Sequence, residues 1–119
     1  MDYIVAKEEY AAALRRGQKE YKDLLAAGKA PHPAVLDDLL DPAAANSVQH
    51  IGLVEIPMER IVGTRSSGRI TTFSASFLPL AKPNSEFANK WENLCAAHLG
   101  DTGIRDPITC YEYLGNFYV

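Results

Sequence analysis

Cysteine is scarce: Cys95 and Cys110 are the only two in the chain. That excludes the disulfide framework of a small secreted domain, and free buried thiols are the simpler expectation than one bridge. Long apolar runs are missing too. Nothing approaches the ~18 apolar residues of a membrane span. Residues 1–9, MDYIVAKEE, do not make a signal peptide, because acidic residues interrupt any apolar stretch. The cytoplasm is therefore the expected address. Neither sign of charge dominates. Twelve Lys and Arg against fifteen Asp and Glu leave a net charge of −3, so the whole chain has no pull on phosphate backbones. Any nucleic-acid contact needs a local patch. Gly-x-Ser-x-Gly, His-Glu-x-x-His, the P-loop and the dinucleotide fingerprint are all absent, as are internal repeats and low-complexity tracts.

What remains is ordinary for one globular domain: 119 residues, 47% hydrophobic and 23% charged. The spacing of Tyr3, Tyr10, Leu14, Tyr21 and Leu24 predicts a helix over 3–27 with one apolar stripe. Gly17 lies on that stripe and marks close packing or a kink. Charges of both signs cover the other faces, as on a solvated helix. Gly28 is a natural C-cap, with Pro31 and Pro33 beyond it. A short second helix is expected from Pro33 to Leu40, turning Val35, Leu36, Leu39 and Leu40 inward. Residues 43–47 read as a linker. Helix formers precede it and β formers follow, so residues 1–45 are expected to be a helical extension and residues 46–119 an α+β domain.

Residues 51–56, IGLVEI, predict a strand buried on both faces, closed by Pro57. Met58 to Val62 predict a turn or one helical turn, and residues 70–80 are undecided between strand and irregular structure. A helix is predicted over 85–99, capped by Asn84 or Ser85, with Phe87, Trp91, Leu94, Cys95, His98 and Leu99 on one face. A strand over 108–114, a Gly115-Asn116 turn and a returning strand from Phe117 complete the pattern. The chain stops three residues into that strand, which points to a fragment or an early-stopping reading frame.

Gly63, Thr64, Arg65, Ser66, Ser67, Gly68 and Arg69 form the most suggestive segment. Glycines let backbone approach a ligand, hydroxyls donate hydrogen bonds, and two guanidinium forks suit phosphate or carboxylate. A flexible polar loop is the competing account. Cys95 and His98 share a helix face, but their apolar neighbours favour core packing over a metal site. Asp101 and Asp106 read as turn and capping residues. Tyr111, Tyr113, Phe117 and Tyr118 suit cross-strand packing, or stacking on a base.

The order of these pieces resembles the N-terminal domain of ParB-like proteins, which shares its fold with sulfiredoxin. The resemblance rests on Ile56-Pro57-Met58-Glu59-Arg60-Ile61, on the arginine loop, on helix 85–99 and on Gly103-Ile104-Arg105-Asp106-Pro107-Ile108. It covers roughly residues 48–119. It implies a small mixed sheet with helices, and a bacterial module associated with a nucleotide (CTP or ATP, with Mg in the intact parent) and with DNA through regions absent here. Arg65 and Arg69 would then lie near a triphosphate. Two departures matter: the family's Gly-x-[Arg/Lys]-Arg box is absent from these residues, and Ser-Gly-Arg replaces Gln-Pro-Arg in the loop. Sulfiredoxin's Gly-Gly-Cys-His-Arg is absent as well, so no catalysis is expected of the fragment. The alternative expectation is a protein-interaction or oligomerisation module that uses helix 3–27 and an open strand edge at 117–119.

Overall fold

The computed structural model describes residues 2–41, 48–99 and 107–119. It is a mixed α+β structure. The expected linker, most of the Gly103–Ile108 segment and both Asp101 and Asp106 lie outside the described residues. No described helix is long and apolar enough to cross a membrane.

Helix α1 runs Asp2–Ala26. Its inner face buries Ala6, Tyr10, Ala13 and Leu14. Tyr21 and Leu24 are half-buried, and Tyr3, at the helix start, is exposed. The helix ends where Gly28 takes φ 72°. The Gly28 N–H donates to Leu25 O at 3.0 Å and the Lys29 N–H to Leu24 O at 2.8 Å, the paired bonds of a Schellman cap. Gly17 serves close packing: a Cβ there would strike the Pro79 carbonyl and sit 3.2 Å from Leu78 Cβ.

Strand β1 is Ala34–Val35 and α2 is the single turn Leu36–Leu39. The helix expected from Pro33 is therefore shortened at its start, because residues 34–35 pair with a neighbouring strand instead. Val35 and Leu36 are buried, but Leu39 is 51% exposed. A 3-10 turn at Met58–Arg60 leads into β2, Ile61–Thr64. The strand expected at 51–56 is absent. Gly52 takes φ 110°, outside the pleated range, and Ile51, Leu53 and Val54 stand exposed. The sheet is entered a few residues later, after Pro57.

Residues 70–80 fold as a compact loop. After a 3-10 turn at Ile70–Thr72, Phe73 bridges Pro79, and the Leu80 N–H donates to Thr72 O at 2.9 Å. Phe73 packs edge-on against Phe77 and Phe87, with ring centroids 5.4 and 5.3 Å away. Helix α3 runs Glu86–Leu99, and the Ala88 N–H donates to Ser85 Oγ at 3.1 Å, so Ser85 is the cap.

The face α3 buries differs from the expected one. Ala88 and Glu92 are buried, Phe87, Trp91 and Cys95 are half-buried, and Leu94, His98 and Leu99 point outward. The small Ala6, Ala13 and Ala88 suit close approach of α1 and α3, which pack together. Tyr10 packs at a tilt against Trp91, with ring centroids 5.2 Å apart, and donates its hydroxyl to Ala81 O at 2.7 Å.

Strands β3 (Tyr111–Tyr113) and β4 (Asn116–Tyr118) close the sheet in the order β1-β2-β4-β3. β1, β2 and β4 are mutually parallel and β3 is antiparallel to β4. The hairpin turn is Leu114-Gly115, one residue earlier than expected, with φ 52° and 86°. Positive φ at both positions matches the right-handed twist of a hairpin. β4 has neighbours on both sides, so the open edge expected at 117–119 does not exist; β1 and β3 are the edges. Gly63 sits at a tight point of the sheet. A Cβ there would strike the Ala34 carbonyl and lie 2.8 Å from the Tyr118 ring.

Residues 2–41 are thus woven into the remainder, through α1 on α3 and through β1 in the sheet.

Candidate functional site

β2 delivers the arginine loop to the carboxyl ends of three parallel strands, where ligand crevices of open sheets generally form. Gly63 and Thr64 belong to β2 itself, so the loop proper is Arg65–Arg69. Its backbone is held on two sides. The Arg65 N–H donates to Val119 O at 2.8 Å, and Arg65 O accepts the Asp37 N–H at 3.1 Å. Thr64 Oγ1 donates to Ser66 O at 2.6 Å, and Thr72 Oγ1 to Arg69 O at 2.7 Å. These bonds fix both ends of the loop.

The two arginines differ. Arg65 reaches across to the first residue of β3. Its Nη1 donates to Tyr111 Oη at 3.0 Å, and its guanidinium carbon lies 4.8 Å from the Tyr111 ring centroid. This stacking orients the fork without neutralising it. Arg69 is exposed and makes no side-chain hydrogen bond or ion pair among the described residues, and Arg60 is likewise unpaired. Ser66, Ser67 and Gly68 are exposed, with open space beside Gly68. The structure therefore gathers Gly63, Thr64 and Arg65 against neighbouring strands and leaves Ser66, Ser67, Gly68 and Arg69 facing water. The result is a cationic shelf. None of residues 63–69 lines either of two surface clefts of the described residues. Such a shelf can hold phosphate oxygens by charge-assisted hydrogen bonds, but it cannot enclose a ligand.

One of those clefts, about 380 Å³, is lined by Gln18, Tyr21, Lys22, His32, Thr71 and Leu80. The other, about 390 Å³, lies beside Met58, Glu59, Ile61, Val62, Ala75 and Ser76. Neither was apparent from sequence. The first joins three separate segments, and its one local signal was Gln18, Tyr21 and Lys22 at helical spacing beside a Pro-His-Pro turn.

Cys95 and His98 do not converge on a ligand: His98 is exposed and Cys95 half-buried. Burial, then the charge of Glu9, pushes the Cys95 thiol up; burial alone does so for Cys110. No cluster of three His, Cys, Asp or Glu suited to a metal occurs among the described residues. Glu92 is the unexpected group. It is 3% exposed, its Oε2 lies 3.6 Å from Lys7 Nζ, and its Oε1 is buried without a hydrogen-bond partner among the described residues. Burial and the Glu92 charge together raise Tyr10 above its ordinary value.

Comparison of the chain with family models, curated proteins and solved structures finds no match.

Proposed function

We propose that this chain is a non-catalytic, phosphate-contacting module of the ParB-like type, cytoplasmic and bacterial, that associates with a nucleotide and, through other regions, with DNA. The observation that carries the proposal is the pair Arg65 and Arg69 at the carboxyl ends of β1, β2 and β4. Arg65 is pre-oriented on Tyr111, and Arg69 has no carboxylate partner among the described residues. Hydroxyls of Ser66 and Ser67 stand between them. Arg65 supplies a fork braced on Tyr111 and Arg69 an exposed one, and Mg in the intact parent would offset part of the remaining phosphate charge. Because the shelf is open and the Gly-x-[Arg/Lys]-Arg box is absent from these residues, affinity should be weak, with a Kd on the order of 1 mM.

Thermal unfolding with CTP, ATP or sulfate at about ten times that Kd tests the proposal. Mass action then stabilises the fold by about 1.4 kcal/mol, a shift of several degrees. Arg69→Ala should abolish the shift, and added salt should weaken it. If none of the three anions moves the transition, the shelf binds no phosphate.

A second reading, an interaction module, is favoured by one observation. Val48, Ile51, Leu53, Val54 and Met58 are 55–85% exposed, and Tyr3, Ile4 and Val5 of α1 are also uncovered. Exposed apolar groups in such number commonly mark a contact surface. A chain that sediments as a monomer at high concentration would remove self-association from this reading.

A further inference from the structure

We infer that the cleft between α1, the Pro31–Pro33 turn and the 70–80 loop is a second ligand site, independent of the arginine shelf, for a small hydroxylated organic anion. Its volume of about 380 Å³ suits a ligand of that size. Charge sets the first requirement. Among the described residues, no Asp or Glu lines the cleft. The carboxylates flanking Lys22 in sequence are both engaged elsewhere. Asp23 pairs with Lys19 at 2.6 Å, and Glu20 accepts the Ser76 N–H at 2.8 Å and the Ser76 hydroxyl at 2.7 Å. Lys7, Lys19 and Lys90 each have a carboxylate partner; Lys22, like Lys29 and Lys82, has none among the described residues, and of these three it is the one that lines the cleft. An uncompensated ammonium on a cleft wall selects an anion.

His32 sets the second requirement. Its Nδ1 lies 2.7 Å from Phe73 O. A carbonyl only accepts, so Nδ1 carries the proton, and in the neutral ring Nε2 keeps a free lone pair. A ligand hydroxyl can donate to it. Tyr21, Gln18 and Thr71 add polar groups, and Leu80 adds apolar contact. The walls are pre-organised. The His32 ring packs against Tyr21 at 5.5 Å, and Glu20 holds Ser76 in the loop between Thr71 and Leu80 on the far side. An acid group against Lys22 and a neighbouring hydroxyl at His32 together define the ligand class.

The test is titration of the ¹⁵N-labelled chain with glucose 6-phosphate and with gluconate, followed by amide chemical shifts, with glucose and inorganic phosphate as controls. Saturable shifts centred on Gln18–Lys22, His32 and Thr71 are expected for at least one of the two acids, and which one binds identifies the acid group. Glucose should bind at least about tenfold more weakly, the worth of one charge-assisted hydrogen bond, and so should inorganic phosphate. Lys22→Met, a surface change, should weaken binding by a similar factor, whereas Arg69→Ala should leave it unchanged. The inference is overturned if neither acid saturates by about 10 mM, if glucose or phosphate matches the acids, if Lys22→Met has no effect, or if the shifts centre on Ser66–Arg69. That last outcome would leave the arginine-shelf proposal standing.

Discussion

In α1 the apolar residues recur every three or four positions, and Ala6, Tyr10, Ala13 and Leu14 are buried against neighbouring elements. In residues 48–58 Ile51, Leu53 and Val54 follow one another without such a period, and they stand 55–85% exposed. Both segments are rich in apolar side chains. The difference lies in presentation: a stripe at helical spacing offers one continuous surface to α3, whereas a chain bent at Gly52 offers no single face. Burial follows from a shared surface and a partner, and composition alone secures neither.

The sharpest way to break that contrast is paired truncation. Tyr10→Ala removes a buried ring, its packing against Trp91 and its hydrogen bond to Ala81, and should cost about 4 kcal/mol in urea unfolding. Leu53→Ala should change stability by no more than about 0.5 kcal/mol. Comparable losses at the two sites would mean that residues 48–58 are covered in solution. A smaller effect, of opposite sign, is expected inside the packed layer. Glu92 buries a carboxylate oxygen with no partner among the described residues, so Glu92→Met should stabilise the fold by about 1 kcal/mol. A loss instead would show that the Lys7 pairing or a bound water outweighs the orphaned oxygen.

The smallest effect concerns pH. Burial alone would raise the Glu20 carboxyl, but hydrogen bonds from Ser74 and from the Ser76 hydroxyl and N–H outweigh it and hold the group below its ordinary 4.5. A depressed carboxyl stabilises the fold above its unfolded-state value, and that contribution is lost as pH falls through the folded-state value. Stability should therefore decline less steeply below pH 4.5 in Glu20→Gln than in the parent chain, measured by urea midpoints across that range.

The parts legible from sequence are those decided locally. The long helix, its Gly28 cap, the Ser85 cap and the polar arginine loop all follow from residues within a turn or two of one another. The mixed α+β class followed from the same signals. The strand at 51–56 was misjudged because its β propensity depends on a partner that the bend at Gly52 prevents. The inner face of α3 was displaced because one small residue and one carboxylate, Ala88 and Glu92, carry the contact in place of Leu94 and Leu99. Hairpin register moved by one residue because Leu114 accepts a positive φ that its side chain disfavours. At the candidate site, the loop was visible but the stacking of Arg65 on Tyr111 was not, since it depends on β3 lying beyond β4. The cleft at Lys22 and His32 was invisible for the same reason on a larger scale.

The position of β4 bears on how the protein emerges from the ribosome. Ile61 and Gly63 are made early, yet they pair with Phe117 and Tyr118. At translation speeds of about 5–20 residues per second, β2 waits several seconds for its neighbour. Throughout that interval the side of β2 that receives β4 stays unpaired on the nascent polypeptide. Chaperone dependence during synthesis should accordingly trace to residues 61–64, and should ease when β4 is supplied earlier in the order of translation.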